Sequence, residues 1–397
     1  MDERAGEVAI LDVTAVVAGG EGLARDADGR VTFVAGALPG EQVRVAIRQR
    51  KKDFARATVL EVLRPSVERV GEACRFVAEG CGGCDWQHVA PGAQRRLKAE
   101  VVADALRRQA HLEIEVGLGP ELPADGYRTT VRGVSVDGRF GFRTRKTHDA
   151  VAVGPCLVAH PVLHEVIAEG SFPAGDIVLR AGARTSERLA IVAGQGTGVV
   201  VPEGVRVVSD HELRHGRRAW YHEEAAGRRW RVSARSFFQA RPDGADALVD
   251  AVRNAVGAEP RGHLVDLYGG VGLFAGSVEG FEHVTLVEQS RSSVADAKVN
   301  LADRSPRIIQ ADVAHWGTAR ADVVVADPPR TGLGPPGVRA VTNTQADRVV
   351  LVSCDPAALG RDAKLLGTAG YRLHEATLID LFPHTSHVEV VSRFDRG

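Results

Sequence analysis

The sequence predicts a multidomain α/β protein: a small N-terminal β-barrel, a central mostly-β region, and a C-terminal doubly wound α/β domain of Rossmann-like type. Two observations carry the prediction. The first 64 residues hold about five short β-branched runs separated by glycine turns. From about residue 240 onward, apolar strands alternate with amphipathic helices, the pattern of a parallel sheet covered on both faces.

In the N-terminal region, residues 1–64, the runs lie within EVAILDVTAVVAGGEGLARDADGRVTFVAGALPGEQVRVAIRQRKKDFARATVLEVL, and DADGR is a turn between two of them. The stretch RVAIRQRKKDFARA carries Arg44, Arg48, Arg50, Lys51, Lys52 and Arg56 against the single Asp53. Such a run is either a solvated hairpin face or a contact for a phosphate backbone.

Residues 65–235 form the central region. PGAQRRLKAEVVADALRRQ repeats apolar residues at Leu97, Val101, Val102 and Leu106, which is helical spacing with charges on the opposite face. This helix, 91–110, is placed to pack on the C-terminal domain. Beyond it, VRGVSV, DIVLRAG and RLAIVAG read as strands between glycine and proline turns.

Residues 236–397 hold helix GADALVDAVRNAV, strands HLVDLY and HVTLVEQ, helix SSVADAKVNLAD, strands RIIQAD, DVVVAD and RVVLVSC, and helix PAALGRDAKLLGTAG. The last two strands, YRLHEATLIDLF and SHVEVVSRF, have no helix between them and are expected to form a hairpin at the sheet's end.

The 397 residues, 44% hydrophobic and 25% charged, suit a globular protein with more than one core. The formal net charge of -1 leaves any nucleic-acid contact to local patches. No run of about 18 apolar residues is present, so no spanning helix is expected. The acidic start MDERAGEVAILD lacks the order of a secretory signal, and the expected compartment is the cytoplasm.

Five cysteines, an odd number, argue against a disulfide framework and for metal binding or catalysis. Cys74, Cys81 and Cys84 form C-x6-C-x2-C, Cys156 lies 72 residues downstream in VGPC, and Cys354 stands alone in LVSCDP.

LVDLYGGVG puts Asp266 at a strand end before Gly269, Gly270 and Gly272, and Glu288 closes the next strand. Ligands of doubly wound sheets sit beyond the strands' carboxyl ends, where an acid can hold a ribose diol. The turn GGVG, rather than GxGxxG, favours an adenosyl cofactor over a pyrophosphate-bound nicotinamide. Asp327 ends strand VVVAD before two prolines, and Cys354 ends LVSC just ahead of a helix. A thiol at a helix N-terminus is expected to form thiolate readily; its bland alternative is a small buried hydrophobe.

These residues resemble a family, the S-adenosylmethionine-dependent RNA uridine-5 methyltransferases. The matching stretches are CGGCDWQH, SFFQ, DLYGGVG, DPPRTGL, VSCDPAALGRD and DLFPHTSHVE, in order across the chain. The resemblance implies an OB-like TRAM module, a central iron–sulfur domain and a methyltransferase domain. It implies Cys354 as nucleophile toward carbon 6 of uracil and Glu389 as the base that removes the carbon-5 proton. It also implies Gln239 at the methionine moiety, Tyr268 against the cofactor, Glu288 on the ribose, Asp312 near the adenine, and Asp327 at the reacting end.

By the same resemblance Cys74, Cys81, Cys84 and Cys156 hold a 4Fe-4S cluster, with tetrahedral zinc as the alternative. The single cysteine of the C-terminal domain favours uridine over cytidine. The implied partner is RNA, 23S rRNA ahead of tRNA, met by a monomer with no membrane association. Three positions depart from the family's usual residues: Arg241 stands for asparagine, Gly269 for serine or cysteine, and Asp355 for asparagine. Of these, Arg241 bears on contacts near the cofactor. Two rival readings are an RNA-binding protein with a vestigial methyltransferase domain, and a methyltransferase acting on a small molecule or protein glutamine.

Overall fold

The computed structural model describes residues 7–145, 147–258 and 261–397, so the first six residues of the expected barrel span lie outside it. Strands β1 (Val8–Val16), β2 (Gly22–Arg25), β3 (Val31–Ala35), β4 (Gln42–Arg50) and β5 (Phe54–Arg64) close into a barrel in the order β1-β2-β3-β5-β4. Leu11, Val13, Val34, Val43, Val45 and Ile47 fill its interior. In the β2–β3 turn, Asp26 accepts hydrogen bonds from the backbone N–H of Asp28 and Arg30, which fixes the DADGR bend.

A short helix, α1 (Arg75–Ala78), precedes the long helix α2 (Pro91–Ala110). Pro91 occupies the first turn of α2, where its missing N–H costs nothing, and His111 ends the helix in the left-handed region at φ 57°. Strand β6 (Val116–Leu118) follows. Strands β7 (Thr130–Val136), β8 (Arg139–Arg143) and β9 (Ala150–Ala152) lead to helix α3 (His164–Glu169) and strands β10 (Asp176–Ala181), β11 (Arg188–Val192) and β12 (Val205–Ser209). They assemble as a six-stranded sheet, β12-β11-β10-β7-β8-β9. Helix α4 (Asp210–Arg214) and the hairpin β13 (Trp220–Ala225) and β14 (Arg228–Ser233) complete the region.

The rest runs α5 (Pro242–Val256), β15 (Arg261–Leu267), α6 (Leu273–Ser277), β16 (Phe281–Glu288), α7 (Arg291–Asn300), β17 (Arg307–Gln310), β18 (Val323–Ala326), α8 (Gly334–Asn343), β19 (Arg348–Ser353), α9 (Pro356–Thr368), β20 (Tyr371–Leu378) and β21 (Val390–Arg396). The sheet order is β17-β16-β15-β18-β19-β21-β20-β6. Every residue of β18, Val-Val-Val-Ala, is buried, as a strand covered on both faces must be. Strand order reverses between β15 and β18, which pair in parallel, and that switch point opens the crevice at their carboxyl ends.

The sheet differs from expectation in three ways. The β20–β21 hairpin forms, but β21 inserts between β19 and β20 and runs antiparallel to both. The edge is taken by β6, from a segment far upstream, pairing in parallel with β20. Helix α8 lies between β18 and β19, where the sequence Gly-Pro-Pro-Gly reads as a breaker; prolines are tolerated here because they fall in the first turn.

Helix α2 packs against α9. Val102 and Leu106 share a core with Leu359, Ala363 and Leu366 of α9. Gly360 permits the approach, since a Cβ there would lie 2.8 Å from the Ala105 carbonyl oxygen. Among the described residues no helix is long and apolar enough to cross a membrane.

Candidate active site

The antiparallel insertion of β21 builds the site. Ser353, the last residue of β19, pairs with Val390, the first of β21. The next residues outward are Cys354 and Glu389, so sheet register sets side by side two residues that are 35 apart in sequence. The Ile379 N–H donates to the Glu389 carbonyl at 2.8 Å and continues the ladder on the other side. Asp327, beyond β18, joins them from the neighbouring strand end.

These groups feel one another. Glu389 is buried, 5% exposed. Burial pushes its carboxyl well above the usual range, the charge of Asp327 adds to this, and the Arg330 guanidinium opposes it. Burial likewise raises Asp327 to about 7. The Cys354 thiol is pushed up to about 12, first by burial and then by Glu389 and Asp327, against Arg330. This corrects the expectation of a ready thiolate. The N-terminus of α9 is already capped by Asp355, which accepts from the Ala358 N–H at 2.7 Å, and burial of the thiol, with the two acids adding to it, disfavours the thiolate.

The glycine turn after β15 forms the other half of the crevice. Tyr268 adopts φ 60°, Gly270 55° and Gly272 99°. A Cβ at Gly270 would meet nothing within 4 Å, so this backbone faces open space. At Gly269 a Cβ would lie 2.6 Å from Leu286 Cγ, so glycine here is a packing requirement. Glu288 accepts from the N–H groups of Gly270 (3.0 Å) and Ser290 (2.6 Å) and thereby braces the turn. Asp266 is fully buried and raised to about 8 by desolvation; it accepts from the Ala275 N–H at 2.9 Å, while its Oδ1 has no partner among the described residues.

The remaining expected residues are placed as follows. Tyr268 is half-buried, and its hydroxyl pKa is raised to about 12 by burial, with Asp312 and Asp362 adding to it. Asp312 is exposed and caps a short turn through the Ala314 N–H at 2.8 Å. Gln239 is 6% exposed, just after the β13–β14 hairpin. Arg241 turns inward: it pairs with Asp243 (2.6 and 2.7 Å), donates to the Pro123 carbonyl (3.0 Å) and stacks on Tyr127 at 4.6 Å. It therefore ties α5 to the central region.

Cys74, Cys81, Cys84 and Cys156 line one apolar cavity together with Phe76, Val131 and Phe142. None of the four is in a disulfide. Burial raises Cys81 and Cys156 and takes Cys84 to about 12, and the cysteines push one another further in the same direction. The Gly83 N–H reaches Cys81, and those of Val158 and Ala159 reach Cys156. Among the described residues no three His, Cys, Asp or Glu side chains are gathered so as to hold a single metal ion.

The basic hairpin is half neutralised. Arg44 pairs with Glu61, Arg56 with Glu21, and Arg50 with Glu7 at 2.8 Å and Asp26 at 3.5 Å. Arg48, Lys51 and Lys52 are exposed and have no acidic partner among the described residues. Lys51 and Arg56 lie over the Phe54 ring, at 5.5 and 5.9 Å.

Sequence reasoning missed the residues that hold the 380–386 loop ahead of Glu389: Asp85, Gln94, Lys98 and Tyr127. Asp85 lies within CGGCDWQH, but nothing local in that motif says which loop it would meet.

With this geometry in hand, the likeness to known proteins is specific. The TRAM domain profile matches residues 4–60, and the profile described as tRNA (Uracil-5-)-methyltransferase matches residues 307–394. An uncharacterized RNA methyltransferase of Streptomyces coelicolor is 37% identical over 98% of this chain and 92% of its own length. The 23S rRNA (uracil(1939)-C(5))-methyltransferase RlmD of Chromohalobacter salexigens is 33% identical, covering 96% of this chain and 87% of that protein. The solved structure of the Pyrococcus abyssi tRNA (uracil-54, C5)-methyltransferase in complex with S-adenosyl-L-homocysteine shares the fold, with a TM-score of 0.74 over 97% of this chain and 99% of that one at 23% identity.

Barrel, central sheet and doubly wound domain together define a TRAM-bearing methyltransferase. The chain belongs to the RNA (uracil-5-)-methyltransferase family.

Proposed function

We propose that the protein methylates carbon 5 of a uridine in 23S rRNA, with S-adenosylmethionine as donor, Cys354 as nucleophile and Glu389 as base. The observation that carries this reading is the register pairing that sets Cys354 beside the buried Glu389 at the strand ends.

Carbon 5 of uracil is too weak a nucleophile to take a methyl group unaided. Cys354 sulfur would add to carbon 6, shifting the ring's electron pair toward carbon 5. Carbon 5, so activated, would take the methyl group that S-adenosylmethionine supplies. Glu389 would then remove the carbon-5 proton of the methylated ring, and the sulfur–carbon bond would break as the ring double bond re-forms. A carboxylate whose pKa burial has raised is the stronger base for that step. Cys354 must lose its proton to act, a loss that burial in the crevice opposes.

The turn fits an adenosyl ligand: backbone at Gly270 opens on free space, Glu288 closes the neighbouring strand, and Asp266 keeps an unpartnered oxygen. Bound there, S-adenosylmethionine would supply the electrophilic methyl group. Gln239, Tyr268, Glu288, Asp312 and Asp327 are the residues we assign to holding it. For the four cysteines, the donor chemistry fits a 4Fe-4S cluster: four thiols on one cavity with N–H groups directed at sulfur. Its positive irons would favour the thiolates that burial disfavours.

The rRNA target is favoured by the RlmD relative at 33% identity; tRNA is the second reading, from the Pyrococcus structure. Methylation of purified 23S rRNA and of tRNA from a deletion strain, with 5-methyluridine mapped by mass spectrometry, separates them. Incorporation into tRNA alone overturns the rRNA assignment.

A further inference from the structure

The loop that delivers Glu389 is gripped by the segment that follows Cys84. Asp85 accepts two hydrogen bonds from Ser386, from its N–H at 3.0 Å and its hydroxyl at 2.7 Å. The Trp86 N–H donates to the His384 carbonyl at 2.9 Å, and Gln94 Oε1 accepts from the His384 N–H at 2.6 Å. Tyr127 donates to the Pro383 carbonyl at 3.0 Å. His384 is held at φ 63°, a left-handed conformation that these contacts enforce. Below the loop, Cys84 packs with Tyr127, Val158, Cys156 and Phe382. The residue next to a cavity cysteine therefore holds a loop residue three positions before Glu389.

We propose that Asp85 is a positioning residue for Glu389, and that the four-cysteine cavity fixes Asp85. The inference rests on the roles given above to Cys354 and Glu389, and adds a coupling between two parts of the molecule that those roles do not require. Cys354 directly follows β19 and Glu389 directly precedes β21, so the sheet holds the backbone of both, but Glu389 alone is also the end of the gripped loop. Loosening the grip should slow the base step and spare the addition step.

The test uses the full-length protein purified without oxygen. Hydrogen exchange is followed in peptides covering 382–388, with 348–353 in β19 as reference. Asp85→Ala should speed exchange in 382–388 by about tenfold, the scale of removing one hydrogen bond to a charged acceptor, and leave β19 unchanged. Cys84→Ser should give the same pattern. Asp85→Asn, which can still accept from the Ser386 N–H, should restore most of the protection. With RNA, Asp85→Ala should form the covalent adduct on 5-fluorouridine substrate within about twofold of the wild-type rate, while turnover on ordinary RNA falls about tenfold and adduct accumulates.

Unchanged exchange at 382–388 in Asp85→Ala would overturn the positioning role. Unchanged exchange in Cys84→Ser would overturn the link to the cavity. Adduct formation and turnover falling in equal ratio would reduce Asp85 to a general structural residue. A wild-type enzyme that formed no adduct would instead refute the function assigned to Cys354, and the exchange data would then decide the coupling by themselves.

Discussion

Lys98 on α2 donates to Asp380 at 2.7 Å, and neither side chain is exposed by more than 6%. The same ammonium reaches the Phe382 carbonyl at 3.0 Å and lies 5.9 Å from the Trp86 ring. Burial pulls the lysine pKa down, and Asp380 pulls it back. The pair joins the central helix to the start of the loop before Glu389.

Removing the cation should leave Asp380 buried and unpaired. Lys98→Met is expected to destabilise the protein by about 3 kcal/mol, read as a shift in the denaturation midpoint. Lys98→Met with Asp380→Asn should recover part of the loss, because the uncompensated charge is gone. A single variant as stable as wild type would show that the pair adds nothing.

Cys354 and Glu389 should divide the reaction. Cys354→Ala is expected to abolish methylation and adduct formation while cofactor affinity stays nearly intact. Glu389→Gln should stall after methyl transfer, leaving a protein–RNA adduct stable to denaturing electrophoresis. Near wild-type turnover by Glu389→Gln would move the base elsewhere.

The cavity cysteines should bind iron. Protein isolated without oxygen is expected to be brown, with about four irons per chain, by absorbance and metal analysis. Stoichiometric zinc without iron would establish the tetrahedral alternative.

The barrel's grip on RNA should follow the ion-pair pattern. Replacing Arg48, Lys51 and Lys52 with Ala should lower the slope of log affinity against log salt by about 0.7 for each phosphate that is no longer neutralised. Replacing Arg44 and Arg56, which already face Glu61 and Glu21, should change it less. Equal effects from the two groups would mean that the acids release their partners when RNA binds.

Asp266 makes stability depend on pH. Its folded pKa, about 8, lies above the ordinary carboxyl value, so the folded state holds a proton that the unfolded chain loses. Its contribution is complete below about pH 4 and is lost as pH rises toward 8, at up to about 1 kcal/mol per pH unit. Asp266→Asn should flatten the fall in melting temperature over that window. An equally steep fall in the variant would assign it to other groups.

Local chemistry in the sequence determined much of this molecule. Barrel runs, helix–strand alternation and the four-plus-one division of cysteines depend on spacing and turn residues that act within a few positions, and each has its counterpart in the structure. The tertiary structure decided what spacing cannot carry. Glu389 meets Cys354 because β21 inserts antiparallel between β19 and β20, a pairing chosen by the burial of two strand faces. The thiol is raised rather than lowered because packing buries it and, second to that, sets two distant acids beside it. Half of the basic hairpin is neutralised by carboxylates that barrel closure brings alongside. The edge strand β6 and the grip of Asp85 on Ser386 join segments about 260 and 300 residues apart. Such pairings follow from packing of the whole chain, since loop closure over that distance leaves no periodic trace in the residues that make it.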